Sequence, residues 1–157
     1  MDQALLRSYL RTVYEIPTVN GLVRASLDGD EATDPTKLPE GLMRNFVILT
    51  AFNPRSMLLP RKVNEGRQLV LRDMLVLGCY RVEACLGFEE DPEGTWREPS
   101  WLVHDMPKDE AIAFGRVFRQ NTVVTCNEGR PSLIVTDPTC DDIGKTMHAH
   151  WRVRGGT

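Results

Sequence analysis

An apolar run that ends in Asn-Pro constrains this chain more than any other stretch. Val47, Ile48 and Leu49 lead through Thr50-Ala51-Phe52 into Asn53-Pro54-Arg55-Ser56. A proline pushes the residue before it out of the right-handed helical region, so a strand has to stop here and turn sharply. The segment from Pro60 to Leu77 then sets Val63, Val70, Met74 and Leu77 on one helical stripe, with Gly78 placed for a C-terminal cap. The expected unit is a strand over about residues 45–52, a tight turn and a helix. Ligands bind beyond the carboxyl ends of strands in open sheets, which makes Asn53 a candidate; Asn-Pro equally suits a plain turn.

The rest of the chain extends that unit. Leu5, Leu6, Tyr9, Leu10, Val13 and Ile16 follow the helical period and predict an N-terminal helix through residue 16, ended by Pro17. Residues 28–41 hold five acids against one lysine, with two prolines and two glycines, and read as a solvated acidic loop. A strand is expected over residues 79–86 and a short one over 100–104, with a loop between them. A helix follows from Pro107 to about Phe118, then a hairpin of 122–126 and 132–136 around Asn-Glu-Gly-Arg-Pro. Residues 138–157 lack a pattern and are expected to fray. This predicts a single α+β domain over residues 1–157, its core at 46–136. The sheet is expected to be mixed or largely antiparallel, of about five strands, with two to three packed helices.

At 157 residues the chain can bury a sizeable core, and its net charge of −3 gives no bulk attraction for long nucleic acid. No apolar run reaches the roughly 20 residues that span a bilayer, and the N-terminus lacks a signal-peptide pattern; the expected location is the cytoplasm, with no membrane partner. Cys79, Cys85, Cys126 and Cys140 form no Cys-x-x-Cys pair, so free buried thiols are expected. His148 and His150, with Cys140, Asp141 and Asp142 upstream, lack a third ligand at a metal-binding spacing, and no metal is expected. Neither common phosphate loop nor any familiar nucleophile motif is present, so no cofactor is expected. Composition does not fix an oligomeric state.

Three segments carry the remaining interest: TAFNPRS with Asn64 in the helix beyond it, GTWREPSWLV, and AIAFGRVFRQNTVV. Together, over roughly residues 46–126, they resemble a family of small bacterial and phage proteins defined only as a domain of unknown function. The resemblance marks positions and implies no activity.

Physical reasoning assigns those positions candidate roles. Residues 55–72 contain Arg55, Arg61, Lys62, Arg67 and Arg72 against Glu65 alone, a local charge of +4. Arg55, with Arg67 or Arg61 and the turn hydroxyl Ser56, therefore suits a phosphate or carboxylate, unless these bases only coat a solvated helix. Trp96 can stack on a base or plug the core edge, and Ser100 can donate beside it. Glu98 can accept from a ligand's hydroxyls or amines, serve as general base in an enzyme, or pair with Arg116 or Arg55. Arg116, Gln120 and Asn121 close the third segment, where they can cap a helix or face a ligand. The resulting expectation is a polar pocket that gathers Asn53, Glu98, Arg116 and Gln120 and binds a small anionic, phosphorylated or nucleotide-like ligand. One use of such a pocket is to sequester a signal nucleotide. Turnover of a nucleotide-like substrate by Glu98, and a protein inhibitor acting through the acidic loop, are the alternatives.

Overall fold

A computed structural model describes residues 1–91, 93–94 and 96–155. Its helices are α1 (Gln3–Arg11), α2 (Arg61–Leu77) and α3 (Lys108–Val117). The strands are β1 (Val13–Thr18), β2 (Gly21–Ser26), β3 (Phe46–Leu49), β4 (Val82–Phe88), β5 (Arg97–His104), β6 (Thr122–Asn127), β7 (Arg130–Val135), β8 (Thr146–His148) and β9 (Arg152–Val153). They form one sheet in the order β8-β7-β6-β3-β5-β4-β1-β2-β9, every neighbouring pair antiparallel. The class is α+β as expected, but the sheet has nine strands rather than about five and curls into a half-barrel.

Four strands account for the difference. The N-terminal helix stops at Arg11, and Val13, Tyr14 and Ile16 belong to β1. Their β-branched and aromatic side chains favour a pleated, half-buried surface, and their spacing fits a strand as well as a helix. Pro17 is tolerated there because β4 pairs β1 only as far as Glu15. β2 returns as the hairpin partner of β1. The other two strands, β8 and β9, come from the segment expected to fray, and they form the two edges of the sheet.

Only residues 149–151 separate those edges in sequence. Four residue steps span at most roughly 14 Å, so the sheet must curl until its edges approach. Trp151 sits in this link, 1% exposed, with its ring centroid 6.4 Å from that of Phe46 in the interior strand β3. The sheet therefore wraps around the tail, and that face is concave. Its apolar filling includes Ile16, Leu27, Leu42, Ile48, Leu102 and Leu133. Leu42 is fully buried, so the end of the acidic segment is anchored in the core. α1 lies over the same face through Leu6, Tyr9 and Leu10.

The opposite face carries α2 and α3, packed on Val47, Leu49, Val103, Val123 and Ile134. Alternation along β5 sends Leu102 to the first cluster and Val103 to the second. α3 sits close to the end of β7, because a Cβ on Gly115 would fall 2.8 Å from Cγ2 of Thr136. The face of α2 differs from the expected one. Its buried residues are Asn64, Gln68, Leu71 and Leu75, whereas Val63, Val70, Met74 and Leu77 are exposed. Cys85 and Cys126 are buried, but Cys79 is exposed and Cys140 half-buried; all four are free thiols.

Trp151→Ala tests the wrapped tail. Removing a fully buried tryptophan typically costs about 3–5 kcal/mol, and denaturant unfolding is expected to show a loss of that size. A loss below about 1 kcal/mol would mean that the tail is not part of the core.

Candidate functional site

The turn after β3 is built from left-handed residues. Asn53 (φ 44°), Arg55 (φ 57°) and Ser56 (φ 58°) all take positive φ without being glycine. Each such residue costs on the order of 1–3 kcal/mol and persists only where its surroundings over-determine it. Here the surroundings are the polar stripe of α2. Asn64 accepts from the Asn53 backbone N–H at 2.9 Å and donates to Asn53 Oδ1 at 2.7 Å. Gln68 accepts from Ala51 N–H at 2.8 Å. Arg67 donates to the carbonyls of Ala51 (2.8 Å) and Phe118 (2.6 Å), tying the turn to the end of α3. Arg119, also left-handed, accepts from Arg55 N–H at 2.8 Å.

This bracing points the Asn53 side chain into the concave face. There a cavity of about 240 Å³ lies between α1 and strands β1, β3, β4, β5 and β6. Of the residues expected to form a site, Asn53, Ser56, Trp96, Glu98, Ser100, Gln120 and Asn121 line it. β5 contributes Glu98 and Ser100 by its two-residue repeat. Asn53 Nδ2 donates to Glu98 Oε1 at 3.3 Å. Gln120, 8% exposed, donates from Nε2 to the Phe52 carbonyl at 2.9 Å. Asn121 Nδ2 donates to Tyr9 Oη (2.8 Å) and Ser56 Oγ (3.1 Å), which pins α1 over the turn.

The other expected residues lie elsewhere. Arg55 forms an ion pair with Asp137 at 2.9 Å and donates to the Gln120 carbonyl, so its charge is spent on structure. Arg67 and Asn64 brace the turn from behind. Arg61 pairs with Glu65 on the exposed face of α2, and Arg116 is exposed and does not line the cavity. The expected gathering of four thus contains Asn53, Glu98 and Gln120 without Arg116. Glu98 makes no ion pair with Arg55 or Arg116. Trp101 faces the other way, donating from Nε1 to the Gln68 carbonyl at 3.2 Å. Among the described residues no three His, Cys, Asp or Glu side chains gather as a metal site requires; His148 Nδ1 lies 3.1 Å from Ser132 Oγ.

Sequence reasoning missed the other half of the wall. Ser8 and Tyr9 come from α1, Tyr14 from β1, and Glu89 from just beyond β4. Reading residues 4–16 as one helix hid Tyr14; the signal that could have found it was the β-branched and aromatic run Val13-Tyr14-Glu15-Ile16. Ser8 Oγ donates to Glu89 Oε1 at 2.5 Å. The Tyr14 hydroxyl makes no hydrogen bond among the described residues, and burial, with Glu98 nearby, raises its pKa. No lysine or arginine is among the described residues that line the cavity.

Glu98 is the group whose chemistry this environment changes most. Burial pushes its carboxyl from 4.5 up to about 7; the hydrogen bond from Asn53 works in the opposite sense and the Glu89 charge adds to the rise. At neutral pH it is divided between an acceptor-only carboxylate and a neutral acid.

Residues 49–123 match the model of a family described as a protein of unknown function (DUF3293). No curated protein and no solved structure matched the chain. The match bears out the resemblance to a domain of unknown function, and the matched segment runs from the end of β3 to the start of β6. It contains Asn53, Glu98, Gln120 and Asn121 and the α2 residues that brace the turn. α1, β1 and the sheet-edge strands lie outside it.

The raised pKa makes stability depend on pH. Between about 4.5 and about 7 the folded chain keeps a proton on Glu98 that the unfolded chain has released. That contribution is fully present below about 4.5 and is lost as pH rises through about 7. Over such a window it amounts to about 3 kcal/mol. Glu98→Gln is expected to remove this slope and to be the more stable protein at pH 8, as read by denaturant unfolding at pH 5 and pH 8. Parallel pH profiles for the two proteins would contradict the assignment.

Proposed function

We propose that the chain binds a small ring-shaped molecule carrying hydrogen-bond donors, of the size and polarity of a nucleobase. Glu98 carries this reading: Asn53 holds one carboxylate oxygen, and the other accepts from no group among the described residues of a polar cavity. Gln120 supports it, since its amide nitrogen is spent on Phe52 and its amide oxygen has no partner among them. Such acceptors match exocyclic amines and ring N–H groups. Tyr9, Tyr14 and Trp96 add aromatic surface beside them.

Size and charge narrow the ligand. A volume of about 240 Å³ falls below the roughly 300–1,000 Å³ of drug-sized pockets, so one ring system fits where a whole nucleotide does not. Among the described residues the lining offers carboxylates and no guanidinium or ammonium, which disfavours an anionic group inside it. The phosphate-binding role expected of Arg55 and Arg67 is therefore not part of the proposal for the cavity.

A second reading, turnover of the same kind of molecule, is favoured by the proton affinity of Glu98. A carboxyl titrating near neutrality is suited to general-base catalysis. The two readings part at one variant. Calorimetric titration with adenine, guanine, cytosine and uracil at pH 8 is expected to find a binder, with affinity reduced at least tenfold in Glu98→Gln. Retained affinity in that variant, with loss of a product that the wild-type chain forms, would establish catalysis instead. Failure of all four bases to bind would refute the reading.

A further inference from the structure

A second concavity adjoins the cavity on the far side of one hydrogen bond. Ser8 and Glu89, joined at 2.5 Å, line both spaces, so this pair is the partition between them. Beyond it the walls carry Arg7 and Arg11 from α1, and Arg152 and Arg154 from β9 and the residue after it. None of these lies in the basic stretch that the sequence singled out.

The charges there are incompletely matched. Asp28 lies 3.7 Å from Arg152 and 3.9 Å from Arg154, and Glu90 lies 3.6 Å from Arg154, all longer than a good charge-assisted hydrogen bond. Arg154 Nε is buried and has no hydrogen-bond acceptor. Arg7 and Arg11, four residues apart on one face of α1, take no carboxylate partner among the described residues. Glu89 is engaged by Ser8, and Asp91 completes the acidic part of the wall. The groove thus holds guanidinium donors in excess of well-made acceptors. A phosphomonoester, with three acceptor oxygens, suits such a cluster.

We infer that the groove is the anion subsite of a two-part site: the ring occupies the cavity and a phosphomonoester attached to it lies among Arg7, Arg11 and Arg154. The inference rests on the ring-binding reading of the cavity and extends it to a nucleoside monophosphate or a molecule of that build. It also accounts for a cavity that admits a ring and no anion, because the charge is held outside the partition. A ligand crossing the partition competes with Ser8 for Glu89.

The test compares bases, nucleosides and nucleoside 5′-monophosphates, with inorganic phosphate as the control. Arg7 and Arg11 are exposed, so Arg7→Gln/Arg11→Gln is expected to fold as the wild type does. For the base that binds, its 5′-monophosphate is expected to bind the wild-type chain at least tenfold tighter than its nucleoside. The double variant is expected to erase that advantage while nucleoside affinity stays within about twofold, and raised salt to weaken the monophosphate alone. Equal affinity of nucleoside and monophosphate for the wild type would overturn the groove and leave the cavity reading intact. An equal fall for both ligands in the double variant would also overturn it, by assigning the arginines to the support of α1. Binding of phosphate alone, with no base or nucleoside, would overturn the two-part site and the cavity reading together.

Discussion

Two amide side chains on one helix, Asn64 and Gln68, hold the backbone of residues 51–53 in a conformation it would not keep alone. Burying an amide without partners is costly, and so is leaving a buried backbone N–H unpaired. Asn64 and Asn53 satisfy one another, with Leu59 as a shared further partner, and Gln68 accepts from Ala51 although its own Nε2 is buried without a partner among the described residues. The consequence is positional. Asn53 in the left-handed region sends its side chain to the concave face, where it meets Glu98 from β5. Pro54 contributes by excluding the right-handed region for Asn53, and Arg67 contributes by joining the turn to the end of α3, from which Gln120 and Asn121 follow.

The arginines divide by location into structural and available groups. Arg55 and Arg67 lie behind or beside the turn and donate to carbonyls and to Asp137. A cation placed there stabilises an irregular backbone by supplying several donors in a fixed fork. The cavity itself keeps carboxylates, amides and hydroxyls, with no cationic side chain among the described residues that line it. Curling of the sheet produces this separation. It brings α1 and the far edge strand beside one another, and with them the arginines that were distant in sequence from the turn.

Local pattern was legible where one element could be judged by itself. α3 and the β6–β7 hairpin fall where their pattern places them, the strand-turn unit at Asn53 does as well, and α2 occupies the expected residues with a different face buried. Seven of the expected site residues line one cavity. The failures have a common physical origin in tertiary context. β1 was hidden because Val13 and Ile16 continue the helical spacing of Leu5–Leu10 by coincidence. The buried face of α2 was misread because its apolar stripe is the exposed one, and its core stripe begins with two amides whose partners lie in another segment. β8 and β9 are short and carry no apolar alternation; they exist because Trp151 between them is buried against Phe46. Arg55 has the composition of an anion site, and only its neighbours reveal that Asp137 already occupies it.

A carboxyl-carbon NMR titration of Glu98, run with and without the best-binding nucleobase, decides whether this carboxyl is the ligand acceptor. An apparent pKa of about 7 is expected in the free protein. A clear fall is expected on adding the base, because a donor-bearing ring stabilises the carboxylate. A carboxyl that titrates near 4.5 and ignores every base would contradict this reading, since Glu98 would then be an ordinary solvated acid on β5.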